Sequence, residues 1–217
     1  MAVQKSPTVP RATREGVLRL LPVPDQDSAL VAALRARHPG APGVLVDRYG
    51  SYVERLLVRV VGLRVEVRDL VHEVFKRALE GIHELRQPEA LKGWLGSLTV
   101  FTARSWIRAQ RFRRTWLSFL PPTQLPEIAA PETEPEVNDA LRRTYEVLDR
   151  LPTDARIVFA LRFMNGMGLR ETAEHCNVSL STVKRRLDRA EELFLRDARR
   201  DPVLREQIER GDRWRSR

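Results

Sequence analysis

Along most of this chain apolar residues recur at intervals of three and four, the spacing that places them on one face of a helix. The clearest case begins at Leu180. Leu180, Val183, Leu187, Ala190 and Phe194 fall on one stripe, leaving Ser181, Thr182, Lys184, Arg185, Asp188 and Arg189 facing outward. Just upstream, Leu169, Thr172 and Ala173 share a face of a shorter helix, and Ala173 is small enough for a second helix to approach closely. Cys176-Asn177-Val178 makes the turn between them, with Asn177 where the chain must bend sharply, a residue that tolerates positive φ at modest cost. Ser179 is a natural N-cap for the helix that starts at Leu180. The pattern predicts a helix-turn-helix whose second helix carries side chains suited to the DNA major groove.

The upstream periodicity predicts further helices. Asp27 or Ser28 caps a first helix running to about Arg37. Tyr49, Tyr52, Val53, Leu56, Leu57 and Val60 mark a second, ending near Gly62. A third runs from Val67 to Ile82 with Leu70, Val71, Val74, Phe75, Ala78 and Leu79 inward. Pro88 opens the next piece, in which Leu91, Trp94, Leu95 and Leu98 lead into a basic helix from Val100 to Arg114. Pro121, Pro122, Pro126, Pro131 and Pro135 then exclude a long helix, and Glu127, Glu132, Glu134 and Glu136 make that stretch an acidic linker. No strand-like alternation of useful length and no internal repeat occur. The expected fold is all-α: a mobile leader over 1–26, a helical domain over 27–119, a Pro-rich linker over 120–136, a helix-turn-helix domain over 137–195 and a basic tail over 196–217.

Charge narrows the partner. Lys and Arg number 38 against 29 Asp and Glu, a net charge of +9, which favours a polyanion. From Ala90 through Pro126 there is no acidic residue, while Lys92, Arg104, Arg108, Arg111, Arg113 and Arg114 are basic. Interleaved are Phe101, Trp106, Phe112, Trp116 and Phe119, a combination suited to phosphate neutralisation plus stacking on unpaired bases; Trp94 is expected in the core. Glu66, Asp69, Glu73 and Glu80 form an acidic stripe opposite Leu70, Val74 and Phe75, suited to a basic protein surface.

Catalysis finds no support. Cys176 is the only cysteine, which excludes an intramolecular disulfide or a Cys-based zinc site, and it reads as a small buried apolar residue. His38, His72, His83 and His175 are scattered without ligand spacing, and no Gly-rich phosphate loop or nucleophile elbow occurs. No enzyme activity, metal or cofactor is expected. No stretch has the apolar length of a membrane span, and Arg19 and Pro22 break up the apolar residues near the amino terminus, so a cytoplasmic protein is expected.

Taken together, EVRDLVHEVFKRAL at Glu66 to Leu79 with LKGWLGSL after it, and LDRLPTDARIVFALRFMNGMGLRETAEHCNVSLSTVKRRLDRAEELF at Leu148 to Phe194, resemble the two domains of extracytoplasmic-function sigma factors. DSALVAALRARHPGAPGVLVDRYG is similar to the family's first helices, so the resemblance spans about Asp27 to Phe194. It implies an alternative sigma factor that binds RNA polymerase core, directs it to promoter DNA and helps open the duplex. Asp69 and Glu73, with Glu66 beside them, would contact the polymerase clamp helices. The second domain would sit on the polymerase flap and read the minus-thirty-five element through Thr182, Lys184, Arg185 and Arg189, flanked by Ser181 and Arg186. Phe101, Trp106 and the arginines around them would handle the opened minus-ten strand, and the acidic linker would thread toward the RNA exit path. An anti-sigma factor is a further partner class that the resemblance admits. Thr99, Val100 and Phe101 stand where the family often has Ala-Arg-Asn, and His72 where it usually has Gln. Two other readings use the same residues: an operator-binding regulator that grips duplex without polymerase, and a sigma-like interaction protein that does not melt DNA.

Overall fold

The computed structural model describes residues 26–62, 66–117 and 135–210. The predicted leader and nearly all of the acidic linker lie outside the described residues, in which every regular element is helical. The first domain comprises α1 (Gln26–Arg35), α2 (Ala41–Val61), α3 (Val67–Gly81) and α4 (Leu91–Leu117). The second comprises α5 (Pro135–Arg150), α6 (Thr153–Phe159) running into a π-helical turn (Ala160–Met164), α7 (Leu169–Cys176), α8 (Leu180–Ala198) and α9 (Pro202–Arg210).

Local chemistry sets the boundaries. Pro42 occupies the first turn of α2, where its missing N–H costs nothing. Gly62 ends that helix at φ +92°, its N–H bonded to the Val58 carbonyl at 2.8 Å. A Cβ there would also lie 3.2 Å from the Tyr145 ring, so both backbone and packing demand glycine. Asp27 ties α1 to α2 by accepting from Arg48 at 2.9 Å and from the Tyr49 hydroxyl at 2.6 Å. Burial, reinforced by that carboxylate, holds the Tyr49 phenol well above its usual range.

The core follows the predicted stripes with two exceptions. Leu79, expected to face inward, is 39% exposed: it lies one turn beyond the buried Phe75, at the edge of the apolar stripe and near the end of α3. The stretch expected to be a basic tail carries the end of α8 and all of α9. Asp201 accepts from the backbone N–H groups of Val203 and Leu204 at 3.0 and 3.2 Å to start α9, which buries Leu204.

The domains do not sit apart as two beads on a tether. One continuous core joins Leu57, Val60, Leu95 and Val100 of the first domain to Ile157, Val158, Leu161, Cys176 and Leu187 of the second. A smaller cluster, built on Leu148, Phe159 and Phe194 with the two phenyl centroids 4.6 Å apart, belongs to the second domain alone.

Cys176 lies in the shared core, and burial pushes its thiol up to about 11, with Arg104 and Arg186 opposing and Asp154 assisting. The folded chain therefore disfavours a thiolate that the unfolded chain forms near the ordinary value of 9.0. Stability is fully present below that value and declines as pH rises toward 11; Tyr52, pushed up to about 12 by burial and by Glu171, extends the decline. The thermal midpoint should fall between pH 9 and 11, and Cys176→Ser should flatten the profile; an unaltered slope in that variant contradicts the assignment.

Candidate nucleic-acid interface

The turn between α7 and α8 is built as the sequence predicts. Asn177 adopts φ 52°, ψ 51°, and its N–H bonds Glu174 O at 3.1 Å while Val178 N–H reaches Ala173 O at 3.0 Å, closing the carboxyl end of α7. Ser179 Oγ accepts from Thr182 N–H at 3.2 Å as the N-cap of α8. Val183, Leu187 and Ala190 are buried beneath α8, leaving Ser181, Lys184, Arg185 and Arg189 exposed on its outer face. Arg189 pairs with Glu192 at 2.7 Å. Thr182 is half-buried, with its hydroxyl 2.9 Å from Ser179 Oγ, and Ser181 Oγ lies 3.0 Å from the same atom. Arg186 turns away from the outer face and pairs with Asp154 of α6 at 3.1 Å.

The basic, aromatic half of α4 divides between two sides. Phe101, Arg108 and Phe112 share one exposed stripe, the phenyl groups being 47% and 71% exposed. Arg77 of α3 lies over the Phe101 ring at 5.3 Å and pairs with Glu73 at 2.7 Å, so it links the acidic face of α3 to that stripe. Trp106 does not join Phe101: five residues apart on a helix is ~140° around it, and Trp106 is half-buried against the core. Thr99 and Val100 are buried, the Thr99 hydroxyl bonding back to Leu95 O at 2.7 Å. Arg113 is exposed; the Arg114 and Trp116 side chains lie outside the described residues. On α3, Asp69 is exposed, while Glu66 and Glu73 are half-buried.

Arg104 and Arg111, expected on the same cationic surface, instead face the second domain. Arg104 Nε lies 3.0 Å from Asp154, its Nη2 donates to Cys176 O at 3.4 Å, and Arg111 donates to Asp149 O at 3.1 Å. They are the margin of an interface whose centre sequence reasoning missed. There Arg156, 2% exposed, donates to Val60 O and Val61 O at 3.1 and 3.0 Å and pairs with Asp149. The Tyr145 hydroxyl reaches Val58 O at 2.9 Å and Arg59 O at 3.3 Å. These are the last four carbonyls of α2; Val58 O also takes the Gly62 N–H that ends the helix, and side chains of the other domain reach all four. Farther along, His175 Nδ1 lies 2.9 Å from Glu171 O and Nε2 lies 3.1 Å from the Tyr52 hydroxyl. That pattern fits the tautomer in which Nδ1 donates and Nε2 accepts. His175 enters a recess left by Gly96, where a Cβ would come within 2.2 Å of Nε2.

Comparison with known proteins places these elements. Residues 45–113 match the family model "Sigma-70 region 2" and residues 141–193 match "Sigma-70, region 4". The ECF RNA polymerase sigma-E factor of Haemophilus influenzae is 30% identical over 176 residues, 77% of this chain and 93% of that protein. The RNA polymerase sigma factor SigV of Bacillus subtilis is 31% identical over 140 residues, 64% of this chain and 80% of that protein. Among solved structures, CnrH in complex with the cytosolic domain of CnrY shares the fold with a TM-score of 0.55 at 21% identity, covering 82% of this chain and 99% of that one. In the described residues no helix is long and apolar enough to cross a membrane, and no group of three or more His, Cys, Asp or Glu could hold a metal.

Neighbouring positions on α4 should respond differently to truncation. Phe101→Ala should cost under ~1 kcal/mol in urea denaturation, the loss of a half-exposed ring and its cation contact. Val100→Ala, which opens a cavity in the core, should cost about 1–3 kcal/mol. Equal costs would show Phe101 to be a packing residue.

Proposed function

The chain belongs to the extracytoplasmic-function sigma factors, and from that premise we propose how its own residues divide the work. As an alternative sigma factor it binds RNA polymerase core and directs initiation at specific promoters, a non-enzymatic role. Its place of work is the cytoplasm, where the polymerase is.

In the proposed division, α8 enters the major groove of the minus-thirty-five element. The supporting observation is that Lys184, Arg185 and Arg189 project from the exposed face of a capped second helix whose opposite face is buried. Lys184 and Arg185 serve base edges; Arg189 and Arg186 serve phosphates; Ser181 and Thr182, at the amino-terminal end, offer hydroxyls to the backbone. On α4, Phe101 stacks on an unpaired base of the minus-ten strand, with Arg108, Phe112 and Arg113 along or beside the same face to hold the backbone. Arg104, Arg111 and Arg114 extend this cationic surface when the domains separate, and Trp106 supports it from beneath. Phe101 stands where the family often has a hydrogen-bonding Asn, so stacking partly replaces base readout and the minus-ten preference is loose.

Asp69, with Glu73 and Glu66, forms the acidic contact for the clamp helices of polymerase, and the second domain seats on the flap. An anti-sigma factor is the further partner. CnrH was solved in complex with the cytosolic domain of CnrY, which supports a protein partner for this fold.

Three measurements test the division. Asp69→Lys with Glu73→Lys should weaken core binding in a fluorescence titration, since like charges would then meet; undiminished affinity in the folded variant removes the clamp assignment. Lys184→Ala or Arg185→Ala should cost about 1–3 kcal/mol and relax preference at one or two promoter positions, whereas a uniform loss with a shallower salt slope reassigns that residue to phosphate. Phe101→Ala should reduce permanganate-detected promoter opening with core binding intact; normal opening removes the stacking role.

A further inference from the structure

We propose that Arg77 of α3 is a DNA-binding residue: with Phe101 of α4 it forms a composite site for one unpaired nucleotide, the ring taking the base and the guanidinium the phosphate. The inference deepens the stacking reading of Phe101 and rests on it for the base half alone.

Two helices build the site. Arg77 lies outside the basic run of α4, one turn beyond Glu73 on α3, yet its guanidinium carbon sits 5.3 Å from the centre of the Phe101 ring. A cation held there is attracted to the face of the ring and fixes its orientation. The ring is nonetheless 47% exposed, so a base stacks on the side that Arg77 leaves open. Arg108 and Phe112, both exposed, fall within ~20° of Phe101 around α4 and extend the path of the strand along that helix. At the Phe101 end of this path α4 supplies no cation of its own, because Arg104 is turned to Asp154 of the second domain. Arg77 fills that place from the neighbouring helix.

The guanidinium has capacity to spare. Glu73 meets its Nε edge at 2.7 Å, and among the described residues no hydrogen bond engages its two Nη nitrogens. The Arg77 and Glu73 side chains are 39% and 37% exposed, and an ion pair that open to solvent does little for the helix that carries it. Support of α3 therefore does not account for an arginine laid across a ring of α4. Held by Glu73 on one edge and by the ring beneath, the fork presents its Nη edge already oriented, the geometry that meets two oxygens of a phosphate.

The test titrates the full chain, by fluorescence at several salt concentrations, with oligothymidylate and with an abasic oligonucleotide of the same length. Arg77→Met keeps most of the side chain's length and its cover on the ring but removes the charge. Affinity for oligothymidylate should fall about tenfold, the loss of one charge-assisted contact, and the slope of log affinity against log salt should become shallower by about 0.7. The abasic strand should show the same loss, because its phosphates remain. Arg77→Lys should restore the slope. Phe101→Ala should instead lower oligothymidylate affinity at an unchanged slope and leave abasic binding as in wild type. Should Arg77→Met lose helicity by circular dichroism, Arg77→Gln repeats the charge removal. A folded variant that binds both strands like wild type overturns the proposal. So does a loss at unchanged slope, which makes Arg77 a support for the ring, or a loss of core-polymerase affinity in place of strand affinity, which puts it on the polymerase face. If Phe101→Ala has no effect on oligothymidylate, the stacking reading fails, and the Arg77→Met slope still decides the phosphate contact.

Discussion

The arrangement of the whole molecule depends on one buried cation. A helix leaves its last four carbonyls unpaired and carries a partial negative charge at that end, so α2 cannot have its terminus buried unless something supplies donors. Arg156 supplies them to Val60 and Val61, and Tyr145 to Val58 and Arg59. The guanidinium is 2% exposed and could not stay there without Asp149, because stranding a buried charge costs about 3–5 kcal/mol. Asp149 in turn has its own carbonyl bonded by Arg111 of α4. One interaction thus fixes α5 and α6 against α2, and the position of α4 is tied to it.

Geometry downstream is set by that seat. The π-helical turn after α6 keeps Ala160 and Leu161 in the shared core, and its extra residue per turn re-aims the chain toward α7. That brings α7 along α4, so His175 meets Tyr52 over Gly96 and the Ser97 hydroxyl approaches Glu174 O at 3.5 Å. The recognition helix is then held with its outer face in solvent while its inner edge, at Arg186, reaches back to Asp154. The same fold therefore presents one set of α8 side chains and withdraws another.

Features decided by neighbours in sequence are legible from the residues alone. Helical periodicity, the Ser179 cap, the left-handed Asn177, the burial of Cys176 and the exposed row Lys184, Arg185 and Arg189 all depend on contacts within a few residues or on one amphipathic face. Features decided by the other domain are not. Arg104 and Arg111 have the composition of a free cationic surface, and no local signal says that Asp154 and Asp149 lie opposite them. Arg156 looks like any helix arginine until the end of α2 is placed against it. Trp106 and Phe101 read as one group because both are aromatic in a basic run, although helical geometry separates them by ~140°. Leu79 and the helix at Pro202–Arg210 escape for a similar reason: one lies at the edge of a stripe, the other gains its apolar face only by packing on α5.

The distribution of arginine also bears on how the two domains are joined. Arginine stays charged and offers a planar fork, so it can serve a carbonyl pair, a carboxylate or a phosphate with little change of shape. At Arg156 the partners satisfy the fork and the contact resembles a core. At Arg104 and Arg186 the partner is the one carboxylate of Asp154, at 3.0 and 3.1 Å, and all three side chains stay partly exposed, so this contact is screened by solvent and weaker than the buried pair at Arg156. The joining of the two domains therefore rests on Arg156 and on the shared apolar core rather than on the arginines at its rim.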